Sequence, residues 1–211
     1  MWYFCAVEEK EKEIVASAGE VFMKLGIKSV NMDDVARNLR ISKKTLYKYV
    51  KDKNDLIRKA LELHFHMEDV AIDEICHRGL NAIDESLEIS RFIAQLLRQV
   101  HPSIHFDLEK YHPEIWKDML DARHKMIYKC MHTNITKGIK DGLYRKDLNA
   151  DVITKMYISK MDVLFDGELF PHTEITFEEV YLEYFRYHIR GLASEEGMEY
   201  LVNKVKKEKL K

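Results

Sequence analysis

Pro102, Pro113 and Pro171 are the only prolines in a chain of 211 residues, and with eight glycines they leave little that would stop a helix. The long runs between these breakers carry apolar residues at three- and four-residue spacing, and alternating strand patterns are scarce, so an all-α fold is expected. A hydrophobic share of 46% against 33% charged residues is ordinary for a globular protein. The length allows a small N-terminal head and a larger helical domain behind it.

The breakers and caps set the expected helices. A first helix over about Glu8–Leu25 places Ile14, Val15, Ala18, Val21, Phe22 and Leu25 on one inner side, and Gly26 stops it. A long helix from Lys53 ends near Gly79, and a further helix spans Asn81–Val100. After Pro102 comes a short piece, and Pro113 opens a helix reaching about Lys140. A turn at Asp141-Gly142 leads to a helix ending near Asp166, then Phe177–Leu192 and a charged tail helix.

Between the first and the long helix lies NMDDVARNLRISKKTLYKYVKDKNDL, Asn31 to Leu56, with two short capped helical patterns and a turn of four residues or so. Asn31 suits an N-cap, and Asp33 and Asp34 set negative charge at the positive end of the helix dipole. Val35, Ala36 and Leu39 form its apolar side, and small Ala36 lets a second helix cross closely. Ser42 caps that second helix. Leu46 and Val50 then face inward, while Lys44, Tyr47 and Lys48 gather outward, with Lys43, Lys44 and Thr45 in the first turn. The outward face is cationic and aromatic, as a recognition helix in a major groove requires.

Charge is segregated on the same segment. From Arg37 to Lys59 nine basic residues face two acidic ones, a balance of +7, whereas the whole chain is −2 and the remainder therefore sums to −9. A solvated face mixes signs, but this window is an electrostatic footprint for phosphates.

Gly26, Asn31, Val35-Ala36, Ile41-Ser42, Thr45-Leu46-Tyr47, Tyr49, Lys53 and Leu56 together resemble the tetracycline-repressor-like (TetR/AcrR) family of bacterial transcription regulators, over roughly residues 8 to 60. The resemblance implies that Ser42 caps the recognition helix and that Lys43, Lys44, Thr45 and Lys48 face bases or phosphates. It implies phosphate hydrogen bonds from the Tyr47 and Tyr49 hydroxyls, a backbone contact from Lys53, and a phosphate near Ser29 and Asn31. Three positions depart from the pattern. Arg40 stands where glycine is frequent, so a side chain has to accept a left-handed turn at a cost of about 1 kcal/mol. Lys44 replaces a common glycine, and Val50 a common phenylalanine.

The expected domains are a helix-turn-helix head at 1–52 and a helical ligand-binding and dimerisation domain at 53–211, with 53–79 as connecting helix. Val152, Met156, Met161 and Leu164 with Val180, Tyr184, Phe185, His188 and Ile189 offer wide apolar faces for a homodimer; the resemblance implies a four-helix bundle across a two-fold axis. Phe92, Leu96, Trp116, Met119, Met126 and Tyr128 are candidates to line a pocket for a small apolar or aromatic ligand. The expected mechanism is a dimeric repressor on a palindromic, double-stranded DNA operator, released when ligand alters the spacing of its heads. Control by a protein partner without a small ligand is an alternative.

A remote alternative is a di-iron enzyme. Glu74/His77 and Glu109/His112 are both E-x-x-H, the spacing that supplies ligands in helical-bundle iron sites, but such a site needs further glutamates and a mid-bundle position, and Pro113 follows His112 directly. No nucleophile elbow, phosphate loop, dinucleotide fingerprint or zinc spacing is present, so no catalytic residue, metal or cofactor is expected. His64 and His66 read as structural or surface groups. The apolar start MWYFCAV lacks a preceding positive region and runs into EEKEKE, so neither a signal peptide nor a membrane span is expected. Cys5, Cys76 and Cys130 are odd in number and unpaired in spacing, which points to packing residues in a reduced, cytoplasmic setting.

Overall fold

The computed structural model describes residues 2–208, with side chains over 9–207. Cys5 and the first apolar residues therefore have no described side chains. The helices are α1 (Trp2–Leu25), α2 (Met32–Asn38), α3 (Lys43–Leu46), α4 (Lys53–Cys76), α5 (Ala82–Leu97), α6 (Ile104–Tyr111), α7 (Pro113–Lys140), α8 (Ala150–Val163), α9 (Phe177–Leu192) and α10 (Glu195–Glu208). Among the described residues there is no strand, only one antiparallel bridge between Tyr144 and Ala193. The protein is all-α.

The chain forms two compact units, one made of residues up to Val70 with Gln99–Arg123, the other of Ala71–Arg98 with His124–Lys211. This division differs from a single boundary after residue 52. The reason lies in α6 and the start of α7, whose Ile104, Leu108 and Ile115 complete the core of the first unit.

In the first unit, α1 contributes Ile14, Val15, Ala18 and Phe22 to that core at helical spacing. Gly26, at φ 81°, ends α1 in the left-handed conformation that favours glycine, and its N–H reaches the Phe22 carbonyl at 2.8 Å. Leu25 departs from the expected inner side: as the last helical residue it overhangs the core, with 46% of its surface exposed. Val35 and Ala36 of α2, Leu46 and Val50 around α3, and Leu56, Ile57, Ala60 and Leu61 of α4 close the same core.

In the second unit α9 is the organising helix. Thr176 and Glu179 form a capping box at its start, and Phe177, Tyr181, Phe185, Ile189 and Leu192 make the buried side. It packs against α5, where Asn81 caps the first turn through Asp84 N–H. A polar cluster is buried here. Asn134 donates to the Ala82 carbonyl at 3.0 Å and to Glu85 at 2.8 Å, the Ser86 and Tyr144 hydroxyls each reach Asn134 at 3.0 Å, and Lys137 pairs with Glu85 at 2.8 Å. Because each member is satisfied, the network orients α5 against α7 instead of leaving a buried charge uncompensated. Gly138 makes room for it: a Cβ there would lie 2.1 Å from the Tyr144 ring.

Candidate nucleic-acid interface

The helix-turn-helix is built from caps. The Asn31 side chain accepts the N–H groups of Asp33 at 2.9 Å and Asp34 at 3.0 Å, and Asp34 returns a bond from the Asn31 N–H at 3.0 Å, a reciprocal capping box. At the other end, Ile41 N–H reaches the Ala36 carbonyl at 3.0 Å and Arg40 N–H the Arg37 carbonyl at 3.1 Å. That pair of bonds is a Schellman motif, with Arg40 at its left-handed position, φ 54°. The turn keeps its geometry although the residue has a Cβ.

Ser42 caps α3, its hydroxyl accepting the Thr45 N–H at 3.0 Å. Helix α3 is shorter than the expected run to Val50. After Leu46 the chain continues in tighter turns, with Lys48 N–H on the Thr45 carbonyl at 3.1 Å and Tyr49 N–H on Leu46 at 3.0 Å. Leu46 and Val50 remain buried, and Lys44, Tyr47 and Lys48 remain exposed. Among the described residues no hydrogen bond or ion pair holds the Lys44 or Lys48 ammonium.

Other basic residues of the segment are already engaged inside the first unit. Lys43 donates to Asp33 at 2.9 Å, and that hydrogen bond raises its pKa. Lys59 bridges Glu11 at 2.7 Å, and Arg58 bridges Asp118 at 2.7 Å. Lys53 is half-buried, donates to the Ile27 carbonyl at 2.7 Å, and has its pKa lowered by burial. The Ser29 hydroxyl caps the end of α1, on the carbonyls of Leu25 and Gly26. Tyr49 packs partly against the head core, and its carbonyl accepts Lys59 at 2.9 Å. Arg40, Lys44, Lys48 and Lys51 are exposed, and among the described residues no carboxylate pairs with their charged groups.

Asp107, which no sequence pattern marks, holds this head from behind. Its buried carboxylate accepts Ile27 N–H at 3.1 Å, Lys28 N–H at 2.9 Å and the Ser103 hydroxyl at 3.1 Å. Lys28 in turn donates to the Tyr111 hydroxyl at 2.8 Å, which raises the lysine pKa. The contacts join positions about eighty residues apart, a separation at which no periodicity or motif carries a signal.

The remaining candidates disperse. Trp116 and Met119 pack against the core of the first unit, whereas Phe92, Leu96, Met126 and Tyr128 belong to the second. Tyr128 stacks on His132 and donates to Asp151 at 2.8 Å. Of the nine candidate dimer residues, Met161, Leu164, Phe185 and Ile189 are buried within the chain itself, because they lie on the sides of α8 and α9 that close the core of the second unit. Val152 and Met156 are exposed on α8, beside an open groove of about 380 Å³ with Asp151, Lys155, Ser159 and Lys160. Val180, Tyr184 and His188 are partly covered on α9, and Tyr187, outside the expected apolar face, has 80% of its surface exposed. Glu74, His77 and Glu109 are exposed and the two E-x-x-H motifs fall in different units; among the described residues no group of three or more His, Cys, Asp or Glu could hold a metal ion.

A capped two-helix element with an exposed lysine and tyrosine face defines a helix-turn-helix DNA-binding regulator. Residues 14–60 match the family model described as bacterial regulatory proteins, tetR family. A Bacillus subtilis (strain 168) relative described as the uncharacterized HTH-type transcriptional regulator YvaF is 25% identical over 159 residues, 75% of this chain and 82% of that protein. A tetR-family regulator from Cytophaga hutchinsonii shares the fold with TM-score 0.69, 15% identity, and coverage of 90% of this chain and 98% of that one. The transcriptional regulator FadR of Bacillus subtilis, solved with stearoyl-CoA, aligns with TM-score 0.64 at 16% identity over 86% of this chain and 98% of its own. Over residues 14–60 the chain is similar to the tetR family of bacterial regulatory proteins. Among the described residues no helix is long and apolar enough to cross a membrane.

Proposed function

We propose that the protein is a dimeric repressor, in which two heads enter successive major grooves of a palindromic operator in the cytoplasm and a small apolar or aromatic ligand releases them. The observation that carries this reading is the exposed Lys44, Tyr47 and Lys48 face, set on a scaffold capped at each end. Lys43, Thr45 and the Ser42 cap sit beside it; exchanging the Asp33 bridge for a phosphate would recruit Lys43 at little cost, since exposed ion pairs are weak. The DNA-contacting residues lie within 1–52 of the first unit, and the ligand and dimer faces within the second unit. Helix α4 runs unbroken from Lys53 to Cys76, which suits it to carry a displacement between the two.

Dimerisation is assigned to the outer sides of α8 and α9, with exposed Val152 and Met156 on one and exposed Tyr187 beside the partly covered Tyr184 and His188 on the other. Three observations support a ligand-responsive second unit: its polar core, its partly buried Phe92, Leu96 and Met126, and the acyl-CoA carried by the similarly folded FadR. Release then follows if ligand binds the non-DNA state more tightly.

Selection from random double-stranded DNA, together with the solution mass, tests the proposal. Enrichment of a palindrome bound by a dimer is expected. A monomer at micromolar concentration, or enrichment of no sequence, would overturn it.

A further inference from the structure

Helix α6 ends in a cluster of lysines and rings at the edge of the DNA-binding element. The Lys28 ammonium donates to the Tyr111 hydroxyl at 2.8 Å and stands 4.7 Å from the centre of that ring. Lys110 stands 4.9 Å from the Phe106 ring centre and 5.7 Å from that of Tyr111, and the two rings meet edge-on with their centres 6.4 Å apart. All four side chains are exposed and belong to the first unit. We infer that Lys28, Lys110 and Tyr111 form a second phosphate-binding site, outside the helix-turn-helix, which grips the backbone of the double-stranded DNA that the helix-turn-helix holds. The inference rests on the DNA-binding reading above and extends the interface beyond residues 1–52 into α6.

Donors outnumber acceptors in the cluster. Tyr111 accepts from Lys28, so its own O–H proton is left to donate, and among the described residues it meets no acceptor. Each ammonium carries three donors, and among the described residues no ion pair holds Lys28 or Lys110. Asp107 attracts Lys28, but its carboxylate is buried and already accepts the Ile27 and Lys28 amides and the Ser103 hydroxyl. Glu109, the neighbour of Lys110 in the chain, is exposed and makes no ion pair with it among the described residues. Two cations and a hydroxyl proton therefore face solvent together, a donor set that matches the anionic oxygens of a phosphodiester.

Placement points to DNA as the source of that phosphate. Lys28 adjoins Ser29 in the loop that leads to Asn31, the cap of α2, so a strand that passes the start of α2 also passes Lys28. The Tyr111 bond brings the end of α6 to the same loop, and Asp107 fixes that helix to the loop backbone. The rings hold both lysines in position before binding, which lowers the ordering cost of the contact. A backbone contact of this kind reads no base. It adds affinity and sets the orientation of the head on the duplex.

The test titrates the full chain with the duplex enriched from random DNA at several salt concentrations, with circular dichroism checking the fold of each variant. Lys28→Met combined with Lys110→Met should lower the log–log slope of affinity against salt by about two per head, since each phosphate contact contributes roughly 0.9. Lys28→Arg combined with Lys110→Arg should keep the slope. Tyr111→Phe should weaken binding with the slope unchanged, because it removes a donor and no charge. A parental slope in the double methionine variant, where Lys48→Ala lowers it, would overturn the inference and leave the repressor reading standing. A parent that enriches no duplex would overturn both.

Discussion

The carboxylate of Asp107 accepts the backbone N–H of Lys28 at 2.9 Å, fastening α6 to the loop that enters α2. The same oxygen takes the Ile27 N–H at 3.1 Å, and the carbonyl of Ile27 accepts Lys53 at 2.7 Å. A carboxylate, two amides and an ammonium thus fix the entry to the DNA-binding element.

Removing that carboxylate leaves two amides without their acceptor. Asp107→Ala is expected to lower unfolding stability by about 2–3 kcal/mol, the scale of a buried charge-assisted hydrogen bond. Urea denaturation checks it. An unchanged midpoint would show that water replaces the carboxylate, and the fastening would then contribute nothing.

Arg40 holds a left-handed conformation, φ 54°, inside a Schellman motif whose hydrogen bonds are made by backbone alone. Arg40→Gly is therefore expected to raise stability by about 1 kcal/mol, and Arg40→Ala to give no such gain. Thermal unfolding of the two variants side by side separates backbone strain from removal of the guanidinium.

Lys48 and Lys53 should part company on DNA. The log–log slope of affinity against salt falls by roughly 0.9 for each phosphate that the protein ceases to neutralise, so Lys48→Ala should reduce it by about one per head. Lys53→Ala should leave the slope nearly unaltered and lower folding stability, since its ammonium serves the Ile27 carbonyl. Binding titrations at several salt concentrations decide; equal slopes for Lys48→Ala and the parent would show that Lys48 meets no phosphate.

His188 sits against the rings of Tyr157 at 4.7 Å and Tyr184 at 5.8 Å, and its buried Nε2 has no hydrogen-bond partner. Burial pushes its pKa down from 6.5 to about 4. The folded protein keeps it neutral where the unfolded chain protonates it, so its contribution is complete above pH 6.5 and is lost as pH falls towards 4. After allowance for partial exposure the loss is on the order of 2 kcal/mol. His188→Phe, neutral throughout, should show a shallower fall in stability between about pH 7.5 and 5, read as a difference from the parent so that other histidines cancel.

Local chemistry is legible in the chain and distant chemistry is not. Helix α9 matches its sequence-derived bounds, Phe177 and Leu192, because Thr176 and Glu179 announce a capping box and the apolar spacing is helical. The left-handed turn at Arg40 is the one that the resemblance implied, since glycine is frequent at that position. By contrast, the Asp107 acceptor and the Ile27 carbonyl that occupies Lys53 depend on tertiary approach. The dimer candidates show the same limit. Helical spacing identifies Met161, Leu164, Phe185 and Ile189 as apolar, yet only packing reveals that their own chain covers them.

The first unit takes its residues from two stretches, with Ala71–Arg98 lying between them in the sequence and belonging to the other unit. Such a head is not a detachable cassette. A chimaera that transplants only the stretch up to Leu56 leaves behind Ile104, Leu108, Ile115 and Asp107, and so carries an unfinished core and two orphaned amides into its new host. Exchanging DNA specificity between relatives therefore calls for substitutions on the Lys44, Tyr47 and Lys48 face, with the surrounding scaffold kept.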